Sequence, residues 1–222
     1  MKFLQIIRAY PLRDLIFHAL YELRAKLDCG WSTLAFRVKC KLLGIEVGGR
    51  SKIWGKVQLG RFPGSEIRFG NDLRVISRAY RYAFNIYPQS KIRTYSRSAR
   101  IIVGDGVGFN SIAIFARSTT VRIGENTMIG GNCQIMDSDG HPLWPASARW
   151  HYPGNQHDAQ VTIGRNVFIG LNVIILKGSA IGDNSVIGAG SVVSGEIPPN
   201  VLAAGIPARV VKEFGGVDSP GG

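Results

Sequence analysis

An isoleucine or valine returns every six residues through Val161–Pro207, and nothing else in this chain limits its fold as tightly. From Ile163 the sequence runs IGRNVF, IGLNVI, ILKGSA, IGDNSV, IGAGSV, VSGEIP, led by Ile163, Ile169, Ile175, Ile181, Ile187 and Val193. An amphipathic helix repeats every three or four residues and a half-buried strand every two, so neither template fits. A sustained six-residue period is that of a parallel β-helix solenoid. Each hexad is a short strand and a turn, and three hexads close one triangular coil. The leaders then stack inside the prism at about the 4.8 Å strand spacing. The same phase predicts leaders at Val103, Phe109 and Phe115, then at Ile123, Ile129 and Ile135. Glycine usually follows the leader, and its tolerance of positive φ predicts that these glycines turn the corners.

Outside the regular coils the pattern changes. Residues 1–47 predict a helical segment: Pro11 suits a first helical turn, and Leu12, Leu15, Ile16, Ala19, Leu23 and Leu27 form one stripe. Gly30 is expected to end this helix, with Ser32 capping a second one that Gly44 stops. Short β-like pieces (Ile45–Val47, Ile53–Val57, Glu66–Phe69, Leu73–Ile76) predict degenerate first coils. The solenoid is therefore placed at 48–206, with a loop at 138–160 that has three prolines and no leader. Long loops inside compact domains are usually functional. Residues 207–222 are expected to form a short helix around Ala208–Phe214 and a tail.

Charge divides the 222-residue chain. Residues 1–49 carry 8 Lys/Arg and 4 Asp/Glu, residues 50–100 carry 12 and 2, and residues 101–222 carry 7 and 9. A basic front on a near-neutral back points to an anionic partner. Charge without a recognised reading module argues against nucleic acid. Cys29, Cys40 and Cys133 form no CxxC pair, and an odd number makes a poor disulfide framework. No run approaches the roughly 20 apolar residues of a spanning helix, and Arg8, Arg13 and Asp14 interrupt the opening apolar run. The expectation is a cytoplasmic protein, peripheral on the inner membrane face if residues 1–47 meet anionic lipid.

The segment ending Asp137-Ser138-Asp139-Gly140-His141-Pro142, the long loop, NVFIG, GAGSVV and GIPAR occur in that order over about residues 101–214. In this the chain resembles the hexapeptide-repeat acyltransferases. It is most similar to the galactoside and maltose O-acetyltransferase branch and to the O-acetyltransferases of surface-polysaccharide synthesis. The resemblance implies a mainly β, left-handed parallel β-helix, a homotrimer, and acetyl-CoA bound in the groove between neighbouring subunits. It implies no metal cofactor. A carbonic-anhydrase-like metal site needs three histidines from adjacent coils, and one of the four histidines stands at a coil end.

Moving an acetyl group from a thioester to a hydroxyl needs a base, a role that suits histidine near neutral pH. His141, in the GHP motif at the coil–loop junction, occupies the family's base position. Asp137 and Asp139 are candidates to orient the imidazole or hold a substrate hydroxyl, and a backbone carbonyl could do the first job equally well. His151 and His157 lie farther along the loop. Gly188, Ala189 and Gly190 match the family position along the pantetheine arm. Arg209 and Lys212 match its basic residues near the nucleotide phosphates. Phe168 keeps an aromatic at a position often held by Trp. Ser194 is followed by Gly195 where many relatives have Lys, which removes one expected phosphate contact. Asn110 falls near an acceptor-binding Asn of the galactoside branch, in approximate register. The resulting expectation is O-acetylation of a sugar or lipid-linked glycan hydroxyl in capsule, exopolysaccharide or lipopolysaccharide synthesis. The alternatives are an amino-sugar N-acetyltransferase and a non-catalytic solenoid scaffold.

Overall fold

A computed structural model describes residues 10–87, 89–150 and 155–215. Lys2, Arg8, His151 and the tail VDSPGG lie outside the described residues. The chain winds into a three-sided parallel β-helix, the solenoid that the six-residue period demands. The first wall contains Glu46–Val47, Glu66–Phe69, Arg100–Val103, Thr120–Ile123, Val161–Ile163, Ala180–Ile181 and Glu196–Ile197. The second contains Lys52–Trp54, Arg74–Ile76, Gly108–Asn110, Met128–Ile129, Phe168–Ile169, Val186–Ile187, Val201–Gly205 and Ala208–Glu213. The third contains Val57–Gly60, Ser90–Thr94, Ala113–Ala116, Gln134–Met136, Ile174–Ile175 and Val192–Val193.

The core is three internal stacks. Ile123, Ile163, Ile181 and Ile197 pair in register on the first wall. Phe109, Ile129, Ile169 and Ile187 do so on the second, and Ile114, Ile135, Ile175 and Val193 on the third. All are buried. The third stack corrects one expected leader. Phe115 pairs with Met136 and points outward, its ring 4.8 Å from that of Tyr95, while Ile114 takes the interior. Ser111, in the left-handed region at φ 44°, turns that corner one residue early.

The glycines also serve differently from the expectation. Those after the leaders at 104, 124, 130, 164, 170, 182 and 188 are not at positive φ. Many left-handed corners belong instead to Asn126, Asn132, Asn166, Asn172, Asn184 and Asn200, with φ of 55–63°, and others to glycines that do not follow a leader, Gly106, Gly178 and Gly190, with φ of 70–75°. Asparagine is the non-glycine residue that visits this region most readily. Its side chains then form a ladder, Asn166 Nδ2 donating to Asn184 Oδ1 at 3.1 Å and Asn184 Nδ2 to Asn200 Oδ1 at 2.9 Å. The leader-following glycines are required by close stacking. A Cβ on Gly170 would sit 2.6 Å from the backbone nitrogen of Ala189 in the next coil.

One continuous helix, Leu12–Leu42, replaces the two expected around Gly30. A glycine costs a helix only about 1 kcal/mol, and contacts on both sides of Gly30 hold it. Ser32 caps no helix: its hydroxyl donates to Asp28 Oδ1 and accepts from Gly55 N–H at 3.0 Å. Thr33 Oγ1 accepts from Ile53 N–H at 3.0 Å, so the helix satisfies donors of the otherwise open first strand. Ala25, Phe36 and Cys40 are its buried face. The stripe from Leu12 to Leu27 is not used for this cap, since Leu12, Ile16, Leu23 and Leu27 all remain exposed. Gly44, at φ 62°, ends the helix as expected, and Glu46–Val47 already joins the first wall.

The expected C-terminal helix is a strand. Ala208–Glu213 folds back antiparallel on Val201–Gly205 as a hairpin through Ile206-Pro207. Proline has no N–H for a helix, the β-branched pair Val210-Val211 favours a strand, and this strand covers the end of the second wall.

Outer faces differ between walls. The first is charged, with Arg68, Arg122 and Glu196 exposed and Arg100 paired to Glu66 at 3.4 Å. The second presents Met128 and Phe168, 61% and 49% exposed, in line with Val186 and Leu202. The third presents Ala113, Phe115, Met136, Ile174 and Val192, all half-buried.

Candidate active site

The edge where the third wall turns into the first gathers the most polar chemistry. Asp137 ends the Gln134–Met136 strand and is 0% exposed. Its carboxylate accepts from the backbone N–H of Arg117 (2.7 Å), Ser118 (3.2 Å) and Thr119 (2.8 Å), and from the Thr119 hydroxyl (2.9 Å). That saturated carboxylate supports the corner of the preceding coil and does not face an acceptor, contrary to one expected role. Ser138, also buried, accepts from Arg117 Nη1 at 3.3 Å and from Gly140 N–H at 3.0 Å. Asp139 receives Lys177 Nζ at 2.5 Å from the following coil. Gly140 turns at φ 79°, and His141 emerges exposed directly after it.

The loop closes on its own base. Ala159 N–H donates to Asp137 C=O at 2.9 Å, and Gly178 N–H to Ala159 C=O at 3.3 Å, so the ladder continues across the excursion. Ser118 Oγ donates to Asp158 Oδ2 at 2.6 Å beside this junction. His157 lies near the returning end and is exposed. Arg117, Ser118 and Lys177 were missed from the sequence. The signal was available: Arg117 and Lys177 stand at the corner of the coils before and after Asp139, which appears only when the hexads are laid out three to a coil.

A second group lies on the second wall and its edge with the third. An open groove of about 680 Å³ is lined by Arg74, Tyr82, Asn110, Met128 and Phe168 among others. Asn110 is in extended backbone beside Ser111, and its Nδ2 donates to Ile129 C=O at 3.2 Å. Gly188, Ala189 and Gly190 form the same edge higher up. Gly188 packs so that a Cβ would lie 2.9 Å from Ala204 Cβ, and Gly190 turns at φ 72°. Arg209 and Lys212 project from the closing strand of this wall, with Arg209 Nη1 donating to Ala208 C=O at 2.9 Å. Ser194 stands apart from this group, exposed at the third–first edge two coils beyond Asp137. One protomer thus brings together Asp137, Asp139 and His141, and separately Asn110 and Phe168. The full width of the third wall separates the two groups.

Burial pushes the Cys133 thiol up to about 11 and the Cys40 thiol to about 12, so neither supplies a thiolate near neutral pH. Among the described residues, no group of three or more His, Cys, Asp or Glu is placed to hold a metal ion.

The family described as "Hexapeptide repeat of succinyl-transferase" matches residues 120–140 and 160–194. Galactoside O-acetyltransferase of Escherichia coli (strain K12) is 40% identical over 120 residues, 54% of this chain and 57% of that protein. A protein of the same strain named "Putative lipopolysaccharide biosynthesis O-acetyl transferase WbbJ" is 35% identical over 120 residues, 51% of this chain and 61% of its own length. The chain therefore spans less than two thirds of these relatives. Among solved structures, AntD, an N-acyltransferase from Bacillus cereus in complex with dTDP and 3-hydroxybutyryl-CoA, superposes with a TM-score of 0.59. That match covers 81% of this chain and 88% of the other at 17% identity, a likeness of fold.

Proposed function

We propose that this chain, a member of the hexapeptide-repeat acyltransferase family, transfers an acetyl group from acetyl-CoA to a sugar hydroxyl, with His141 as the base. The observation that carries the reading is the mouth of the loop. Asp137, Ser138 and Asp139 are each fixed by a neighbouring coil, and His141 is presented immediately after them on a glycine turn. A base is useful when rigid elements hold it at the reacting atom.

In the proposed reaction the acceptor oxygen attacks the thioester carbonyl while the imidazole takes the hydroxyl proton. The tetrahedral intermediate collapses by breaking the C–S bond, and the imidazolium returns its proton to the departing sulfur. Backbone N–H groups stabilise the oxyanion. The transfer is direct, in keeping with two cysteines whose thiols stay protonated.

The same reading accounts for the two separated groups. In a ring of three prisms each contact is heterologous, one wall meeting a different wall of the neighbour. From the coil of Gly108 and Ala113 onward the second and third walls are outwardly apolar and the first is charged, which suits such a ring, while Lys52, Arg74, Lys91 and Arg93 face outward only in the earlier coils. The His141 edge of one subunit then faces the groove of Asn110, Phe168 and Gly188–Gly190 of the next. Acetyl-CoA lies between them, with Arg209 and Lys212 toward its phosphates. Surface polysaccharide or its precursors are the proposed acceptors, as the name of the second relative suggests.

The test is mass spectrometry of acetyl-CoA reactions against free, nucleotide-linked and lipid-linked sugars, with amino sugars alongside. Ester-linked acetyl that is lost on mild base treatment supports the reading, and amide-linked acetyl alone overturns it. Light scattering reporting a fully active monomer overturns the ring.

A further inference from the structure

We propose that the Leu12–Leu42 helix is a membrane-surface anchor, its outward face lying on an anionic bilayer while its opposite face caps the prism. At 100° per residue, Leu12, Ile16, Leu20, Leu23, Leu27, Trp31, Leu34, Val38 and Leu42 fall within an arc of roughly 120°. All nine are exposed, Trp31 at 73%. The buried residues Ala25, Phe36 and Cys40 point the other way. The helix is thus apolar on two opposed faces, and the prism occupies one. Over its 31 residues the other extends about 46 Å, far more than the isolated apolar residues common on soluble surfaces.

Charge selects the occupant. Arg13, Arg24 and Lys41 lie within or beside the stripe, and Lys26 and Lys39 flank it more distantly. The three acids of the helix lie outside the stripe and are paired: Asp14 with Arg13 at 3.3 Å, Glu22 with Arg81 at 3.0 Å and Asp28 with Arg78 at 3.1 Å. Two copies meeting through this face would bring Arg24 and Lys41 against like charges, and among the described acids of the helix none pairs with either, Asp14 being engaged with Arg13. A bilayer bearing anionic headgroups answers both features: the apolar residues enter the acyl boundary, and the basic side chains reach the phosphates. No described helix is long and apolar enough to cross a membrane, so the contact is with the surface.

The experiment is flotation of the full chain with vesicles of phosphatidylcholine alone or mixed with phosphatidylglycerol. The variants Leu27→Glu/Leu34→Glu and Lys41→Ala are run in parallel, with circular dichroism as the check on folding. The chain is expected to float with the mixed vesicles at low salt and to be released by high salt. Leu27→Glu/Leu34→Glu should weaken partitioning at least about tenfold, and Lys41→Ala about fivefold. Soluble glycerol phosphate should not compete. The proposal is overturned if the chain ignores mixed vesicles, floats equally with phosphatidylcholine alone, or is displaced by glycerol phosphate. It is equally overturned if a folded Leu27→Glu/Leu34→Glu protein loses subunits by light scattering, because the face then belongs to a second copy. If that variant fails to fold, Lys41→Ala and the salt series decide: no loss in either refutes the anchor.

Discussion

Lys177 reaches across from the following coil to Asp139 at 2.5 Å, two residues before His141. The pair fastens the start of the loop to a corner that the prism itself holds. Both side chains are partly exposed, so the pair's contribution to global stability is small, on the order of 1 kcal/mol or less. Its expected effect is on placement. Lys177→Met should leave the melting temperature within a few degrees and reduce kcat about tenfold or more, since a base displaced by about 1 Å loses efficiency steeply. Steady-state kinetics beside a thermal melt measures both, and unchanged kcat removes the pair from the site.

His141→Ala should reduce turnover roughly 10²–10⁴-fold, the usual contribution of a positioned base, with the fold intact. His157→Ala, on the same loop, is the control and should change turnover less than about threefold. A loss under threefold for His141 sinks its assignment.

Asp137 provides a contrasting substitution. Asp137→Ala strands three backbone N–H groups at the corner of the preceding coil. Each buried donor without a partner costs about 1–3 kcal/mol. The expected result is a melting temperature lowered by many degrees together with lost activity. Asp137→Asn, which keeps one acceptor oxygen, should recover part of the stability. Denaturant titration of both variants separates this outcome from a purely catalytic role.

Gly170 and Gly190, at the second and fourth positions of their hexads, should fail differently on mutation. Gly170→Ala drives a Cβ against backbone of the next coil, so no side chain can yield and the cost should be about 1–3 kcal/mol or more. At Gly190 nothing lies within 4 Å, and the cost is only that of a side chain at φ 72°, about 1–2 kcal/mol. Gly190→Asn should be milder than Gly190→Ala, whereas Gly170→Asn should be worse than Gly170→Ala. Chemical denaturation of the four variants gives the order.

Asp28 links the helix cap to pH. Burial pushes its carboxyl up, but hydrogen bonds from Arg78, Tyr80 and Ser32 outweigh this and hold it below the ordinary 3.8. A depressed carboxyl stabilises the fold above its unfolded pKa, and that contribution is lost as pH falls through the folded value. Asp28→Asn should therefore melt below the parent protein at neutral pH, with the gap closing below about pH 4. A gap of constant size down to pH 3 or so would show that the ion pair is not responsible.

The period of six was enough to give the solenoid, because each leader has one place to go in a triangular coil. It misassigned Phe115 because a single shortened corner at Ser111 shifts the phase, and both Ile114 and Phe115 are apolar enough to lead. The glycines were found but their reason was not: positive φ is a local property, whereas contact between Gly170 and Ala189 spans a whole coil. Local pattern also failed at Ala208–Glu213, where an uncovered strand at Val201–Gly205 supplies the ladder that a helix-like stretch completes. Within the candidate site, the GHP motif points to His141, but Arg117 and Lys177 carry no motif and reach the loop only through three-dimensional stacking.

Where Ala159 N–H closes onto Asp137 C=O, the excursion leaves the prism and returns to it at adjoining positions. The two cut ends of the loop are already joined by the structure beneath, so the coils above and below keep their register whatever lies between them. Residues 142–157 can therefore lengthen, shorten or change sequence without a cost passed to the core. Selection can work on the segment beside His141 while the stacked isoleucines stay as they are. Under the proposed acetyl transfer, a new acceptor preference needs changes in that one insert, and the scaffold is inherited unchanged.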